Sequence, residues 1–156
     1  MDTGAQAPGL KMATRFRDCP VTDEIAERNR KTLLNGLTAL MGGNEEAFWS
    51  IYDPNVVFYE ASCLPYGGTH KGLEAAQRAH AQIHQVFSEV RAEFEAILAA
   101  EDIVIIYQTI NFRVRTNGNS GSFQVAETFR FRNGKVVEWR ALYSDACLVS
   151  QAIKGS

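Results

Sequence analysis

The sequence predicts an α+β domain, with three helices packed on one face of a curved antiparallel sheet. Three observations carry that expectation. Apolar residues recur at helical spacing up to about residue 87, they alternate with period two from residue 90 to 144, and Asn133-Gly134 is a two-residue hairpin signal between two alternating runs. The 156 residues suit one domain whose core needs neither disulfide nor metal to fold.

Thr22 is placed to cap a first helix whose opening turn holds Asp23 and Glu24, charges favoured at a positive helix terminus. Leu33, Leu34, Leu37, Leu40 and Met41 follow at helical spacing, and Gly42-Gly43 ends the run. Asn44 opens a shorter helix through Phe48, Trp49 and Ile51, stopped by Asp53-Pro54. A short strand, Val56 to Glu60, leads into a turn-rich loop that carries Tyr66 and His70. Ala75, Ala76, Ala79, Ile83, Val86 and Phe87 mark a third helix. Four strands are then expected: residues 90–98, 103–115, 122–132 and 135–144. Residues 1–20 read as a flexible N-terminal arm, 21–150 as the domain and 151–156 as a C-terminal tail.

Hydrophobic residues at 46% and charged residues at 22% describe a soluble globular chain. A net charge of -2, a pI near 5.9 and the lack of a basic stripe argue against nucleic acid as a partner. The first 20 residues hold no apolar run of secretory length, so neither a signal peptide nor a membrane span is expected, and the cytoplasm is the expected location. Cys19, Cys63 and Cys147 form an odd set without a C-x-x-C, which suggests no disulfide framework or zinc site and suits a reducing compartment.

Glu60 ends an apolar row with Val56 and Phe58, although a lone strand-end Glu is ordinarily a solvated charge. Glu127 is less comfortable. It shares a strand face with Phe123, Val125, Phe129 and Phe131, so its carboxyl points into the core or a pocket, where desolvation raises its pKa. The alternative is a buried ion pair with Arg113 or Arg140. The last strand aligns Trp139, Ala141, Tyr143 and Asp145 as an aromatic wall with an acid at its rim. On 103–115, a polar row of Tyr107, Thr109, Asn111 and Arg113 opposes an apolar row of Ile106, Ile110, Phe112 and Val114. If the polar row lines a pocket, the apolar row lies outside and needs cover, which a homodimer would supply. His80 and His84 share a helix face; that spacing can hold a metal, but the Glu of H-E-x-x-H is missing, so pocket or core histidines are the stronger reading. There is no G-x-S-x-G, and Cys63 has no activating neighbour in sequence. No metal and no cofactor are expected.

Several segments in order carry a family resemblance: Gly42-Gly43-Asn44 through Tyr52-Asp53-Pro54, the strand ending Phe58-Tyr59-Glu60, Leu64-Pro65-Tyr66 through His70-Lys71-Gly72, and the run from Glu127 to Trp139-Arg140. Together, over roughly residues 25–150, they resemble the NTF2-like superfamily and, within it, the ketosteroid-isomerase and SnoaL-like polyketide-cyclase branch. The resemblance implies a cystatin-like cone of curved sheet closed by three helices around a deep, mostly apolar pocket. It also implies a cofactor-independent isomerase, cyclase or dehydratase that transfers protons on a small apolar carbonyl, polyketide or terpenoid intermediate. By the same resemblance Glu60 is the general base and Glu127 the protonated acid of the oxyanion hole. His80 falls near a supporting Tyr, and Trp139, Ala141 and Tyr143 on the pocket wall.

Two departures stand out. Gly36 occupies the place of the family's oxyanion Tyr, so Tyr66, Tyr107 or His80 must supply that donor. Ala141 stands where limonene-epoxide hydrolases hold an Asp. The expected catalytic set is therefore Glu60, Glu127, Tyr66 and His80, with Phe58, Tyr107, Asn111, His84, Trp139, Tyr143 and Asp145 touching substrate. A non-catalytic ligand-binding or dimerisation module is the alternative, since one fold serves many functions.

Overall fold

A computed structural model describes residues 23–155. The expected N-terminal arm, the Thr22 cap and Cys19 lie outside the described residues. In chain order the elements are α1 (Glu24–Met41), α2 (Glu45–Trp49), β1 (Tyr52–Glu60), β2 (Gly68–Lys71), α3 (Leu73–Val86), β3 (Phe87–Ala100), β4 (Ile103–Val114), β5 (Ser120–Arg132), β6 (Lys135–Tyr143) and α4 (Ala146–Lys154). Asp23 caps α1 by accepting from the Ile25 amide at 2.9 Å, and its other oxygen accepts from the Glu101 amide at 3.0 Å. One side chain thus ties the start of the helix to the β3–β4 turn.

The strands form one open sheet in the order β2-β1-β6-β5-β4-β3. Strands β3 to β6 are the antiparallel meander that the alternating pattern predicts, and β1 lies parallel beside β6. The first strand therefore lies inside the sheet, between the edge strand β2 and the last strand. This is the expected α+β architecture, with three local differences.

Residues 68–71, read as loop, form the edge strand β2 against Val57–Glu60, and Gly72 at φ 90° turns the chain into α3. Four mostly polar residues carry no period to read. The segment from 151 is no tail, because α4 runs through it to Lys154, buries Val149 and is capped by Asp145, which accepts from the Leu148 amide at 2.9 Å. Finally, β3 starts earlier than expected, since Phe87 is already extended.

Register decides which face of β4 points inward. Ile106 pairs with Glu127, Gln108 with Val125 and Ile110 with Phe123, so the apolar row of β4 joins the aromatic row of β5. Tyr107, Thr109 and Asn111 face the other way. There Thr109 donates to Glu95 at 2.7 Å and Asn111 to Glu93 at 3.1 Å. The conditional reading of an outward apolar row is corrected, and the argument for a covering homodimer loses that premise.

Two apolar clusters fill the interior. One gathers Leu33, Phe48, Tyr52, Phe58, Phe129 and Trp139 under α1 and α2; the other gathers Leu64, Tyr66, Phe112, Phe123, Ala141 and Val149 beside α4. Phe58 stacks on Trp139 with ring centroids 4.1 Å apart. Among the described residues, no helix is long and apolar enough to cross a membrane.

Candidate active site

Strand pairing builds the site. In the parallel ladder Phe58 pairs with Trp139 and Tyr59 with Arg140, so the next row sets Glu60 beside Ala141, while β5 places Glu127 opposite Ala141. Glu60, Ala141 and Glu127 thus form one inward row on three neighbouring strands, and two strand spacings separate the acidic positions by ~10 Å at the backbone. Ala141 contributes only a methyl group between them. Above this row lies a cavity of about 630 Å³, lined by residues of both clusters. Its size is that of a small-molecule site.

Glu60 is 8% exposed, and burial pushes its pKa up to about 8; the Tyr143 hydroxyl pulls it partly back, Glu127 adds to the rise and the Ala61 amide opposes it. Burial likewise pushes Glu127 up to about 7, against the lowering influence of the Trp139 indole and the Gln108 amide. Gln108 Nε2 donates to Glu127 Oε2 at 2.9 Å. The Trp139 indole lies near enough to act on the Glu127 charge, but outside hydrogen-bond geometry. Two interacting carboxyls titrate as a pair, so close to neutrality they hold about one proton between them.

The alternative of a buried ion pair is overturned. Arg113 lies 3.3 Å from Glu89, and Arg140 sits over the Tyr59 ring and 3.4 Å from Glu138. Both arginines are occupied with other partners, and among the described residues neither Glu60 nor Glu127 forms an ion pair.

Tyr66 is almost fully buried, with its hydroxyl 3.5 Å from that of Tyr143. Burial raises both phenol pKa values, so each is a neutral hydroxyl. Burial and the neighbouring His84 lower His80 to about 4, which leaves a neutral imidazole packed on Trp49 and Trp139.

The cavity therefore brings together Glu60, Glu127, Tyr66, His80, Trp139 and Tyr143, with exposed His84 at its mouth. Other expected contacts fall elsewhere. Phe58 supports the Trp139 ring within the core and does not line the cavity. Tyr107 and Asn111 are on the outer face, and Asp145 is spent on the α4 cap. His70 engages the Tyr66 carbonyl at 3.0 Å. Among the described residues, no group of three or more His, Cys, Asp or Glu is placed to hold a metal ion.

Among the buried polar side chains of the cavity, two were not anticipated, Tyr52 and Gln108. Asp53-Pro54 disguised Tyr52, because a Pro reads as a break whereas β1 runs through it. Gln108 had a signal: it is the one polar interruption between Ile106 and Ile110.

An open curved sheet folded over helices is the fold of NTF2-like and cystatin-like proteins. The chain belongs to the SnoaL-like branch of the NTF2-like superfamily, since the model of the SnoaL-like domain matches residues 35–139. No curated protein matches the chain by sequence. Solved structures share the fold. A protein from Jannaschia sp. CCS1 assigned as a SnoaL-like polyketide cyclase has a TM-score of 0.74 and 18% identity, over 86% of this chain and 96% of that one. An NTF2-like protein of unknown function from Burkholderia pseudomallei has a TM-score of 0.73 and 19% identity, over 81% and 97%. A protein of cystatin-like fold from Xanthomonas campestris has a TM-score of 0.69 and 22% identity, over 80% and 96%.

Proposed function

We propose that this chain is a cofactor-independent acid–base enzyme that isomerises, cyclises or dehydrates a small, largely apolar carbonyl compound of polyketide or terpenoid type. One observation carries the reading: two carboxyls without cationic partners among the described residues flank Ala141 in one cavity, and burial brings both near neutral pKa. Glu60 has an oxygen with no hydrogen-bond partner, Oε2, and takes a proton from carbon next to the carbonyl before returning it elsewhere. Glu127, protonated, donates a hydrogen bond to the developing enolate. Charge on that oxygen appears only in the transition state, so the donor stabilises it selectively. The competent form carries one proton on the pair and holds it on Glu127; because Glu60 has the higher pKa, this is the minor placement of that proton, and it gives a bell-shaped pH profile of kcat/KM between limbs set by about 7 and about 8.

Membership of the SnoaL-like family and the likeness to the Jannaschia protein support this reading. A reducing, cytoplasmic setting belongs to it, supported by the free thiols of Cys63 and Cys147 among the described residues; a homodimer through the outer sheet face stays an expectation without the apolar β4 row to support it.

Proton exchange into deuterated water from a panel of cyclic ketones and 1,3-diketones, followed by NMR, tests it. The wild type should accelerate exchange, and Glu60→Gln should lose ~10²–10⁴ of that rate while keeping its fold. Near-wild-type exchange in Glu60→Gln would eliminate Glu60 as the base.

A further inference from the structure

Four buried side-chain atoms around the cavity have no hydrogen-bond partner among the described residues: Tyr52 Oη, Trp139 Nε1, Glu60 Oε2 and Gln108 Oε1. Buried polar atoms are nearly always paired, so such a concentration points to a ligand that completes them. Two of the four are donors. An indole N–H can only donate, and burial keeps the Tyr52 phenol protonated, an effect that Glu127 strengthens whenever it is ionised. Tyr52 is 3% exposed and Trp139 6%. Their rings lie 5.8 Å apart, and both residues act electrostatically on Glu127.

Of the other expected donors, Tyr66 is engaged and Tyr107 misplaced, while His80 remains in the cavity with its ring packed on Trp49 and Trp139. Gly36 carries no side chain, and a Cβ there would stand 2.7 Å from Ile51 Cδ1 and would first have to displace the end of that side chain. The Tyr66 hydroxyl faces Tyr143 on the Glu60 side, and Tyr107 is on the outer face.

We propose that the Tyr52 hydroxyl and the Trp139 indole N–H hold the carbonyl oxygen of the substrate beside Glu127, with its reacting C–H directed to Glu60. This rests on the proton-transfer reading and adds to it a substrate orientation and a donor pair. The phenol that Gly36 leaves missing on the first helix is supplied from the first strand.

The test compares two probes with one carbon frame, naphthalene and 2-naphthol, whose ionised oxygen imitates an enolate. Binding to the full chain is followed by fluorescence for the wild type, Tyr52→Phe and Trp139→Phe. The wild type should prefer 2-naphthol, and Tyr52→Phe should reduce that preference about 10-fold while leaving naphthalene affinity unchanged. Trp139→Phe, which keeps a ring but removes the N–H, should do the same. The thermal midpoint of unliganded Tyr52→Phe should not fall, because its hydroxyl has no partner to lose.

Equal binding of the two probes by the wild type, or binding of neither, overturns the assignment. So does a lowered midpoint with unchanged preference in Tyr52→Phe, which would make the phenol structural. The ketone-exchange assay keeps the two ideas apart. Loss of exchange in Glu60→Gln with no effect of Tyr52→Phe on 2-naphthol defeats only this assignment. Retained exchange in Glu60→Gln with a Tyr52-dependent 2-naphthol preference defeats only the role of Glu60.

Discussion

The two acidic ends of the cavity are built differently. Around Glu60 the hydroxyls have partners: Tyr66 and Tyr143 face each other at 3.5 Å, and Tyr143 also acts on the carboxyl. Around Glu127 the amide of Gln108 is engaged, but the phenol of Tyr52 and the indole of Trp139 are buried without acceptors among the described residues. The first arrangement stabilises the unliganded fold. The second leaves buried donors unpaired, which costs stability, and the proposed substrate carbonyl would offset that cost.

The contrast can be broken most forcefully at Trp139, which stacks on Phe58 at 4.1 Å and on Phe129 at 5.6 Å. Trp139→Ala should lower stability by about 3–5 kcal/mol in chemical denaturation. A loss below about 1 kcal/mol would show that the Glu127 end does not depend on this stack.

The next largest effect concerns pH. Both carboxyls have folded pKa values above the usual 4.5, so the native state holds more protons than the unfolded chain between 4.5 and about 7 for Glu127, or about 8 for Glu60. Their contribution is fully present below 4.5 and is lost as pH rises through those values, at up to roughly 1.4 kcal/mol per pH unit and carboxyl. His80 acts in the opposite sense: held at about 4 instead of 6.5, it makes the fold lose stability on acidification across that interval. Urea midpoints compared between pH 6.5 and 9 isolate the carboxyls. Glu60→Gln should flatten the decline more than Glu127→Gln, because the Glu60 shift is larger.

Tyr143→Phe sharpens the contrast directly. It removes a hydroxyl that has partners, so it should cost about 1 kcal/mol, whereas Tyr52→Phe should cost nothing. It should also raise the Glu60 pKa further, observable by carbon NMR titration, since the Tyr143 hydroxyl lowers it. Equal effects of the two substitutions on urea stability would erase the distinction between the ends. The smallest effect is expected on the outer face, where Arg140 lies 3.8 Å over the Tyr59 ring. Arg140→Ala should cost under about 1 kcal/mol and leave probe binding unchanged.

Much of the architecture was legible because it is written in local periods. The helical spacing of Leu33, Leu37 and Leu40 and the alternation from Phe123 to Phe131 need no knowledge of neighbours. They also exposed Glu127, an acid in an aromatic row. The facing of β4 was not legible, because Gln108 interrupts one row and Tyr107 enriches the other, so neither row is plainly apolar. Strand β2 is too short to show a period, and α4 is helical where Asp145 caps it and Val149 finds a core.

By itself, the sequence determined the order of helices and strands and the inward place of Glu60 and Glu127, since side-chain alternation along a strand is a property of the chain alone. Tertiary structure decided everything that depends on pairing between strands. Register set Glu60 and Glu127 on either side of Ala141, turned Tyr107 and Asn111 outward and brought Tyr52 to Glu127. Which buried hydroxyls found partners and which were left open was settled there too, because hydrogen-bond satisfaction belongs to the packed molecule and not to any stretch of its sequence.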